Sequence, residues 1–254
     1  MTAPLLSIKN LGVHFGGLAA LSKVDIDLNS GEVVGLIGPN GAGKTTLFNA
    51  ISGLVSCEGS LELDGKFHEW PKPDELVKLG ISRTLQGVGL FPEMTVLENV
   101  MVGATKFARG GLIRAALGLD GRAEKELREL AISALAKVSC TSIADRKVDS
   151  LPYPITKRVA IARALVSDPK ILLLDEPAGG LGAEDIAWMN DFIKAVSGRC
   201  AILLVEHHMD VVMSVCDRIY VLNFGQVIAS GSAETVKNNP DVIAAYLGSA
   251  ASKK

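Results

Sequence analysis

Residues 33–46 indicate the fold class: Val33-Val34-Gly35-Leu36-Ile37-Gly38-Pro39-Asn40-Gly41-Ala42-Gly43-Lys44-Thr45-Thr46. This stretch opens with a continuous apolar run, which is typical of a strand buried on both faces of a parallel sheet. Gly38 to Thr45 then match the pattern GxxxxGK[ST], and residues 44–52 read as a helix that ends at Gly53. A buried strand, a glycine-rich loop and a helix in this order predict a phosphate-binding loop in an α/β sheet.

The loop supplies the chemistry for binding a nucleoside triphosphate. Its main-chain N–H groups and the start of the helix would surround the β- and γ-phosphates. The Lys44 ammonium would reach these phosphates, and the Thr45 hydroxyl would bind Mg²⁺. The candidate nucleotide-binding residues of this segment are Gly38, Pro39, Asn40, Gly41, Ala42, Gly43, Lys44, Thr45 and Thr46. The alternative is a glycine-rich turn that contains the lysine by chance.

Two adjacent acids follow a second apolar run. The run at 171–174 ends in Asp175-Glu176-Pro177. The carboxyl ends of buried strands are where doubly wound sheets bind ligands. We expect Asp175 to hold Mg²⁺, directly or through water, and Glu176 to orient and polarise an attacking water molecule. Acids after a strand often only cap the next element, but the phosphate loop favours the functional interpretation.

The rest of the chain alternates strands with helices. Apolar residues at 24, 26 and 28 alternate with Asp25 and Asp27, which is the pattern of a half-buried strand. The later predicted elements are a helix after Pro154, a strand at 171–174, a helix at 183–196 and a strand at 201–205. This alternation predicts a doubly wound, mostly parallel sheet, and the helix-rich stretch from about residue 94 to 145 reads as an insertion into it.

Composition excludes several classes of protein. In 254 residues, 48% are apolar and 21% are charged, which excludes a disordered chain. The 26 basic and 28 acidic side chains show no global basic excess, so no nucleic-acid partner is predicted. No apolar run approaches the roughly 18 residues of a membrane helix, and the first residues do not resemble a secretory signal. Four cysteines without a CxxC pair predict free thiols in a reducing compartment.

Further motifs lie in a fixed order around the phosphate loop and the acid pair. They are Phe15-Gly16-Gly17-Leu18, Arg83-Thr84-Leu85-Gln86, Ala162-Arg163-Ala164-Leu165, Glu206-His207 and Ala245-Tyr246-Leu247-Gly248. With these motifs, nearly the whole chain resembles the nucleotide-binding subunits of ABC transporters. Their details are similar to the LivG type, which energises uptake of branched-chain amino acids and has close relatives that serve urea and other small amides.

The resemblance implies a fold and its subdomains. The expected fold class is α/β: a P-loop NTPase core with a mostly parallel sheet, an antiparallel β subdomain and an inserted α-helical subdomain. Residues 1–254 would form a single ABC ATPase domain. Within it, residues 1–87 and 150–254 would form the core with the β subdomain, and residues 88–149 the helical subdomain.

The resemblance also implies residue roles. The catalytic residues would be Glu176, His207, Gln86 and Lys44, with His207 bonded to the γ-phosphate. The metal ligands would be Thr45, Gln86 and Asp175. Phe15 would stack on adenine, although a phenylalanine of the core is an alternative.

The chain departs from the family at its signature sequence, Leu-Ser-Gly-Gly-Gln. The aligned residues here are Leu151-Pro152-Tyr153-Pro154-Ile155. In the family, two subunits close head to tail over two ATP molecules, and each signature covers the γ-phosphate bound by its partner. Pro152 offers neither a hydroxyl nor an N–H group, and Pro154 removes another donor. Gly182 also stands where the family carries an acid. We therefore expect asymmetric hydrolysis in a heterodimer; the alternative is a loop that works normally through other donors.

The function expected from these features is that of a Mg²⁺-dependent ATP hydrolase driving an ABC importer from the cytoplasmic face of the inner membrane. Its expected partners are a second ABC ATPase subunit and integral membrane permease subunits. The two ATPase subunits would form a head-to-tail dimer, which we expect to be a heterodimer. A solute-binding protein would act indirectly. The alternatives are a soluble ABC ATPase without a transport role, an ATP-binding regulatory module with weak hydrolysis, and a P-loop kinase of small metabolites.

Overall fold

The computed structural model describes residues 3–85, 87–104 and 121–251. The chain divides into two compact units. The first unit comprises Met1–Leu76 and Leu173–Lys254, and the second comprises Val77–Leu172. In the part of the chain that the structure describes, no helix has the length and apolar character needed to cross a membrane.

The strands of both units are numbered in chain order. They are β1 (Leu6–Phe15), β2 (Leu18–Leu28), β3 (Val33–Ile37), β4 (Glu58–Leu63), β5 (Lys66–His68), β6 (Ile81–Arg83), β7 (Ile171–Asp175), β8 (Ala201–Val205), β9 (Arg218–Asn223) and β10 (Gln226–Gly231).

The helices are numbered in the same way. They are α1 (Lys44–Ile51), α2 (Val96–Gly103), α3 (Gly121–Lys137), α4 (Tyr153–Leu165), α5 (Ala183–Ser197), α6 (Met209–Val215), α7 (Ala233–Lys237) and α8 (Pro240–Ala251). Short 3₁₀ turns lie at Thr141–Ile143 and Val148–Ser150.

A mostly parallel sheet forms the core of the first unit. Its strands lie in the order β10-β9-β3-β8-β7, and β3 runs parallel to both of its neighbours. Every residue of β3, β7 and β8 is buried, which explains why these strands are continuously apolar up to Asp175. The predicted bounds of β8 and of the strand before the phosphate loop are confirmed.

A four-stranded antiparallel sheet lies in the same unit, in the order β2-β1-β4-β5. Val24, Ile26 and Leu28 of β2 are fully buried while Asp25 is exposed, so the predicted alternation is confirmed. Asp27 accepts hydrogen bonds from Ser7 and Lys9 of β1. The predicted fold class, with its parallel core and antiparallel sheet, is therefore confirmed.

The second unit is mainly helical. Helices α2, α3 and α4 pack on one another, and β6 lies beside the first residue of β7, where the Ile171 N–H donates to Gly80 O at 3.0 Å. Helix α2 begins with a capping box, because Thr95 Oγ1 accepts from Glu98 N while Glu98 Oε2 accepts from Thr95 N at 2.7 Å. Since α4 packs with α2 and α3, the compact unit is larger than the predicted helical subdomain at 88–149, and that subdomain division stays a prediction.

Candidate functional site

Two glycines of the phosphate loop between β3 and α1, Gly38 and Gly43, leave no room for a side chain. Gly38 has φ +151°, and a Cβ atom there would lie 2.1 Å from Leu222 O. Gly43 has φ +107°, and its Cβ would lie 2.7 Å from Leu21 Cδ2. Gly41 also has a positive φ, +80°, but a Cβ atom there would meet no other atom within 4 Å. The main chain of the loop is therefore packed closely on its inner side and open on the other.

The turn between β9 and β10 is hydrogen-bonded to the phosphate loop and packs against β2. Gly225 N donates to Ala42 O at 3.0 Å, and Gly225 O accepts from Ser22 N at 2.8 Å. A Cβ at Gly225 would approach Ala20 O to 2.5 Å, so the turn lies directly against β2. The phosphate loop is thus held between the antiparallel sheet and the end of the parallel sheet.

Lys44 is the first residue of α1, and its side chain reaches back to the start of the loop. Its Nζ donates to Gly38 O at 2.7 Å and to Pro39 O at 3.0 Å, and the residue is 6% exposed. Burial lowers the pKa of Lys44, while the nearby charge of Glu176 acts in the opposite direction. Thr45 beside it is exposed. A buried cation under an open loop of main-chain N–H groups fits a triphosphate, and the Thr45 hydroxyl fits a magnesium ligand.

Replacing Gly38 tests how strongly the loop depends on close packing. We expect Gly38→Ala to lower the free energy of unfolding by about 2 kcal/mol or more, because a methyl group cannot fit against Leu222 O. Gly41→Ala is the matched control, with a positive φ but open space, and should cost only about 1 kcal/mol. Urea unfolding of the full chain measures both, and equal losses would contradict the packing argument.

The acid pair lies at the end of β7, as predicted from the sequence. Asp175 is 5% exposed. Glu176 has a left-handed main chain with φ +48°, and its N–H donates to Val205 O at the end of β8 at 2.9 Å. Glu176 Oε1 lies 2.7 Å from His207 Nε2 in a hydrogen bond. The structure thus brings together two predicted catalytic side chains from loops 31 residues apart in sequence.

The carboxylate before His207, on Glu206, is a residue of this site that the sequence motifs did not predict. Glu206 is 1% exposed and accepts hydrogen bonds from the main-chain N–H groups of Ala178, His207 and His208. The available signal was an acid directly after a buried strand, the same placement that singled out Asp175 after β7.

Of the two remaining predicted site residues, the structure describes Phe15 but not Gln86. Phe15 ends β1 and is 52% exposed, so it is not a residue of the core. Gln86 lies outside the described residues, and its predicted place near the metal stays a prediction. Thr46 of the loop is half-buried at the start of α1.

The signature-aligned stretch lies in the second unit, at the start of α4. Pro152 is the N-cap residue and provides no side-chain cap. The N–H groups of Ile155 and Thr156 both bond to Pro152 O, at 3.0 and 3.1 Å. Since both prolines lack an N–H group, at most the Tyr153 N–H remains to meet a ligand at this end of the helix. The Tyr153 ring is 45% exposed, and Lys157 Nζ lies 5.4 Å from its centroid.

Comparison with known proteins decides the family. The family model described as "ABC transporter" matches residues 21–179, which is more than half of the chain. The chain belongs to the ATP-binding subunits of ABC transporters. A second model, described as "Branched-chain amino acid ATP-binding cassette transporter", matches residues 226–252. The resemblance inferred from the motifs is confirmed, and this ABC subunit is an ATP-hydrolysing protein.

Relatives of this ABC subunit match it from end to end. The high-affinity branched-chain amino acid transport ATP-binding protein LivG of Escherichia coli K12 is 40% identical, covering 98% of this chain and 100% of the relative. BraF of Pseudomonas aeruginosa, with the same description, is 38% identical over the same shares. A solved ATP-binding cassette of an ABC transporter in its ADP conformation superposes with a TM-score of 0.84 at 34% identity, covering 97% of this chain and 100% of that one.

Proposed function

We propose that this ABC subunit hydrolyses ATP to power import of branched-chain amino acids or a related small polar solute. The observation that carries the proposal is the hydrogen-bonded pair of Glu176 and His207, 2.7 Å apart, in the unit that holds the phosphate loop. The solute class is supported by the printed functions of LivG and BraF and by the match at residues 226–252.

Each residue of the site has a proposed task. The main chain of the phosphate loop and the Lys44 ammonium bind the β- and γ-phosphates of ATP. Thr45 and Asp175, together with Gln86, would hold Mg²⁺, which when bound neutralises negative charge on the phosphates. Phe15 is exposed as a stacking side chain must be, and we assign it to adenine.

Glu176 and His207 act on the water molecule and the γ-phosphate. The Glu176 carboxylate orients the attacking water and accepts its proton. Its bond with His207 Nε2 favours the tautomer that carries a proton on this nitrogen. With ATP bound, this N–H group would donate to a γ-phosphate oxygen in place of Glu176. The buried Lys44 ammonium stabilises negative charge as the terminal phosphoryl group is transferred to water.

The proposed assembly is a head-to-tail dimer with a second, different ABC ATPase subunit. Dimerisation is supported by a solved ATP-binding cassette described as dimeric, which superposes with a TM-score of 0.76 at 29% identity. Integral membrane permease subunits and, indirectly, a solute-binding protein complete the transporter. We place the subunit at the cytoplasmic face of the inner membrane as a peripheral protein.

The prolines at the start of α4 favour an asymmetric pair of ATP sites. A hydrogen bond to a charged group contributes about 1.5–3 kcal/mol. Two missing donors would slow hydrolysis at the site covered by this signature by roughly 10²- to 10⁴-fold.

The second candidate function, an ATP-binding regulatory module with weak hydrolysis, is favoured by the same prolines. Steady phosphate release by the assembled complex would argue against that module.

Uptake by intact cells tests the proposed transport role. Cells that lack this subunit should lose most high-affinity uptake of radiolabelled leucine, isoleucine or valine, and expression of the chain should restore it. The chain purified from detergent-solubilised membranes should bring integral membrane proteins with it. Unchanged uptake of every branched-chain amino acid would remove the proposed solute class, and the absence of any membrane partner would count against an importer.

A further inference from the structure

Glu206 is a carboxylate buried between two loops of the first unit. It follows the last residue of β8 and is 1% exposed. Its Oε1 accepts a hydrogen bond from Ala178 N at 2.6 Å. Its Oε2 accepts from His207 N at 2.9 Å and from His208 N at 3.2 Å. Burying a carboxylate is unfavourable unless hydrogen bonds satisfy it, and these three main-chain bonds supply that compensation.

These bonds connect the two loops that carry the proposed catalytic pair. Ala178 lies two residues after Glu176 in the loop after β7, whereas Glu206, His207 and His208 form the loop after β8. The loops are also joined by the Glu176 N–H bond to Val205 O and by the side-chain bond of Glu176 with His207. Glu206 therefore fixes the main chain beside both members of the pair.

We propose that Glu206 is a positioning residue that sets the separation of Glu176 and His207. It acts by holding the main chain at Ala178 on one side and at His207 on the other. The kinetic part of this inference rests on the function proposed above for Glu176 and His207. The geometric part does not, because the position of the His207 ring can be measured without turnover.

Glu206→Gln is the variant that separates positioning from packing. It keeps the shape and size of the side chain but leaves one acceptor oxygen and one NH₂ group. Whichever way the amide is oriented, its NH₂ group faces either the Ala178 N–H or the two N–H groups of the β8 loop. One of the two loops therefore loses its hydrogen bonding to the Glu206 side chain, while the surrounding packing is retained.

Asp217→Asn provides a matched control. Asp217 Oδ2 also accepts a main-chain hydrogen bond, from Val33 N at 2.8 Å. Val33 begins β3, so this bond lies at the end of the parallel sheet opposite to Glu206. Both variants weaken one carboxylate contact in the same unit, but only Glu206→Gln should disturb the proposed catalytic pair.

Nuclear magnetic resonance of the full chain, labelled with ¹⁵N and ¹³C in histidine, tests the geometry. The His207 imidazole signals are assigned by their loss in His207→Ala. We expect these signals to shift in Glu206→Gln and to stay in place in Asp217→Asn. Glu206→Asp, which keeps both oxygens, should give an intermediate shift. Unchanged His207 signals in Glu206→Gln would overturn the proposal.

The rate of ATP hydrolysis by the assembled transporter tests whether the positioning of Glu176 and His207 by Glu206 matters for catalysis. We expect Glu206→Gln to lower kcat by about 10- to 100-fold with little change in KM for ATP, because a misplaced pair affects the transition state more than binding. Asp217→Asn should leave kcat nearly unchanged, and an equal loss in that control would mean that Glu206 has only a structural role. If Glu176→Gln keeps full turnover, the proposed function fails, while the His207 signals still decide whether Glu206 positions the ring.

Discussion

The assembled transporter carrying Glu176→Gln is expected to lose ATP turnover by about 10²- to 10⁴-fold while it still binds Mg-ATP. The amide cannot accept the proton of the attacking water, yet it occupies the same volume beside His207. Phosphate release and nucleotide binding measure the two effects separately. Glu184→Gln, a change at an exposed acid in the first turn of α5, is the control and should leave turnover unchanged.

The equivalent change in the partner ATPase subunit is expected to cost much less. The partner's phosphate loop would be covered by the α4 start of this chain, where Pro152 and Pro154 offer no N–H donors. On the proposed asymmetry that site would contribute little to turnover in the wild-type complex, so disabling it should remove little. Equal losses from the two changes would contradict the asymmetry.

A double variant gives the asymmetry a second test. Pro152→Ser with Pro154→Gly restores one hydroxyl and two main-chain N–H donors at the start of α4. In this background the partner's site should become active, and the partner's glutamate-to-glutamine change should then reduce turnover substantially. If the partner's change still leaves ATP turnover intact in the double variant, the prolines are not what limits hydrolysis at the second site.

Lys44→Ala is expected to abolish ATP-driven uptake. The change removes the ammonium that is bonded to Gly38 O and Pro39 O, and with it the positive charge under the phosphate loop. Loss of a hydrogen bond to a charged group predicts an affinity for ATP lower by about 10- to 100-fold. Loss of transition-state charge stabilisation should lower turnover by roughly a further 10²- to 10³-fold. Leucine uptake by cells or proteoliposomes measures the combined result.

Lys66→Ala is the control for this prediction. Lys66 lies on the short edge strand β5 and is exposed, so its loss removes one charge from the surface of the same unit. Uptake at the wild-type rate is expected. Full uptake by Lys44→Ala would mean that another site supplies the energy for transport.

The sequence predicted the buried strands better than the exposed ones. The predicted bounds of β3 and β8 are confirmed because a strand buried on both faces must be apolar at every position. Strand β1 was not predicted, since its pattern is interrupted. Ser7 is buried among apolar residues, Asn10 has φ +53°, and its pairing with β2 and β4 shifts register. Such irregularities break the alternation on which a prediction of a half-buried strand depends.

The chemistry of the site was predictable where it follows local sequence, and not where it depends on contacts between loops. Lys44 and Asp175 were identified from their places after buried strands. The 2.7 Å bond between Glu176 and His207 depends on β7 and β8 being neighbours in the sheet, which no local pattern states. Glu206 is a stronger case, because its partners come from both loops and only the folded chain brings them to one carboxylate.

Binding of Mg-ATP to the purified full chain, measured by titration calorimetry, is the decisive experiment for the nucleotide site. The binding curve should saturate at one nucleotide per chain, with a Kd below about 1 mM. The Lys44→Ala chain should bind far more weakly at the same protein concentration. A wild-type chain that shows no saturable binding, or a Lys44→Ala chain that binds equally well, would contradict the assignment of the Gly38–Thr45 loop as the seat of the triphosphate.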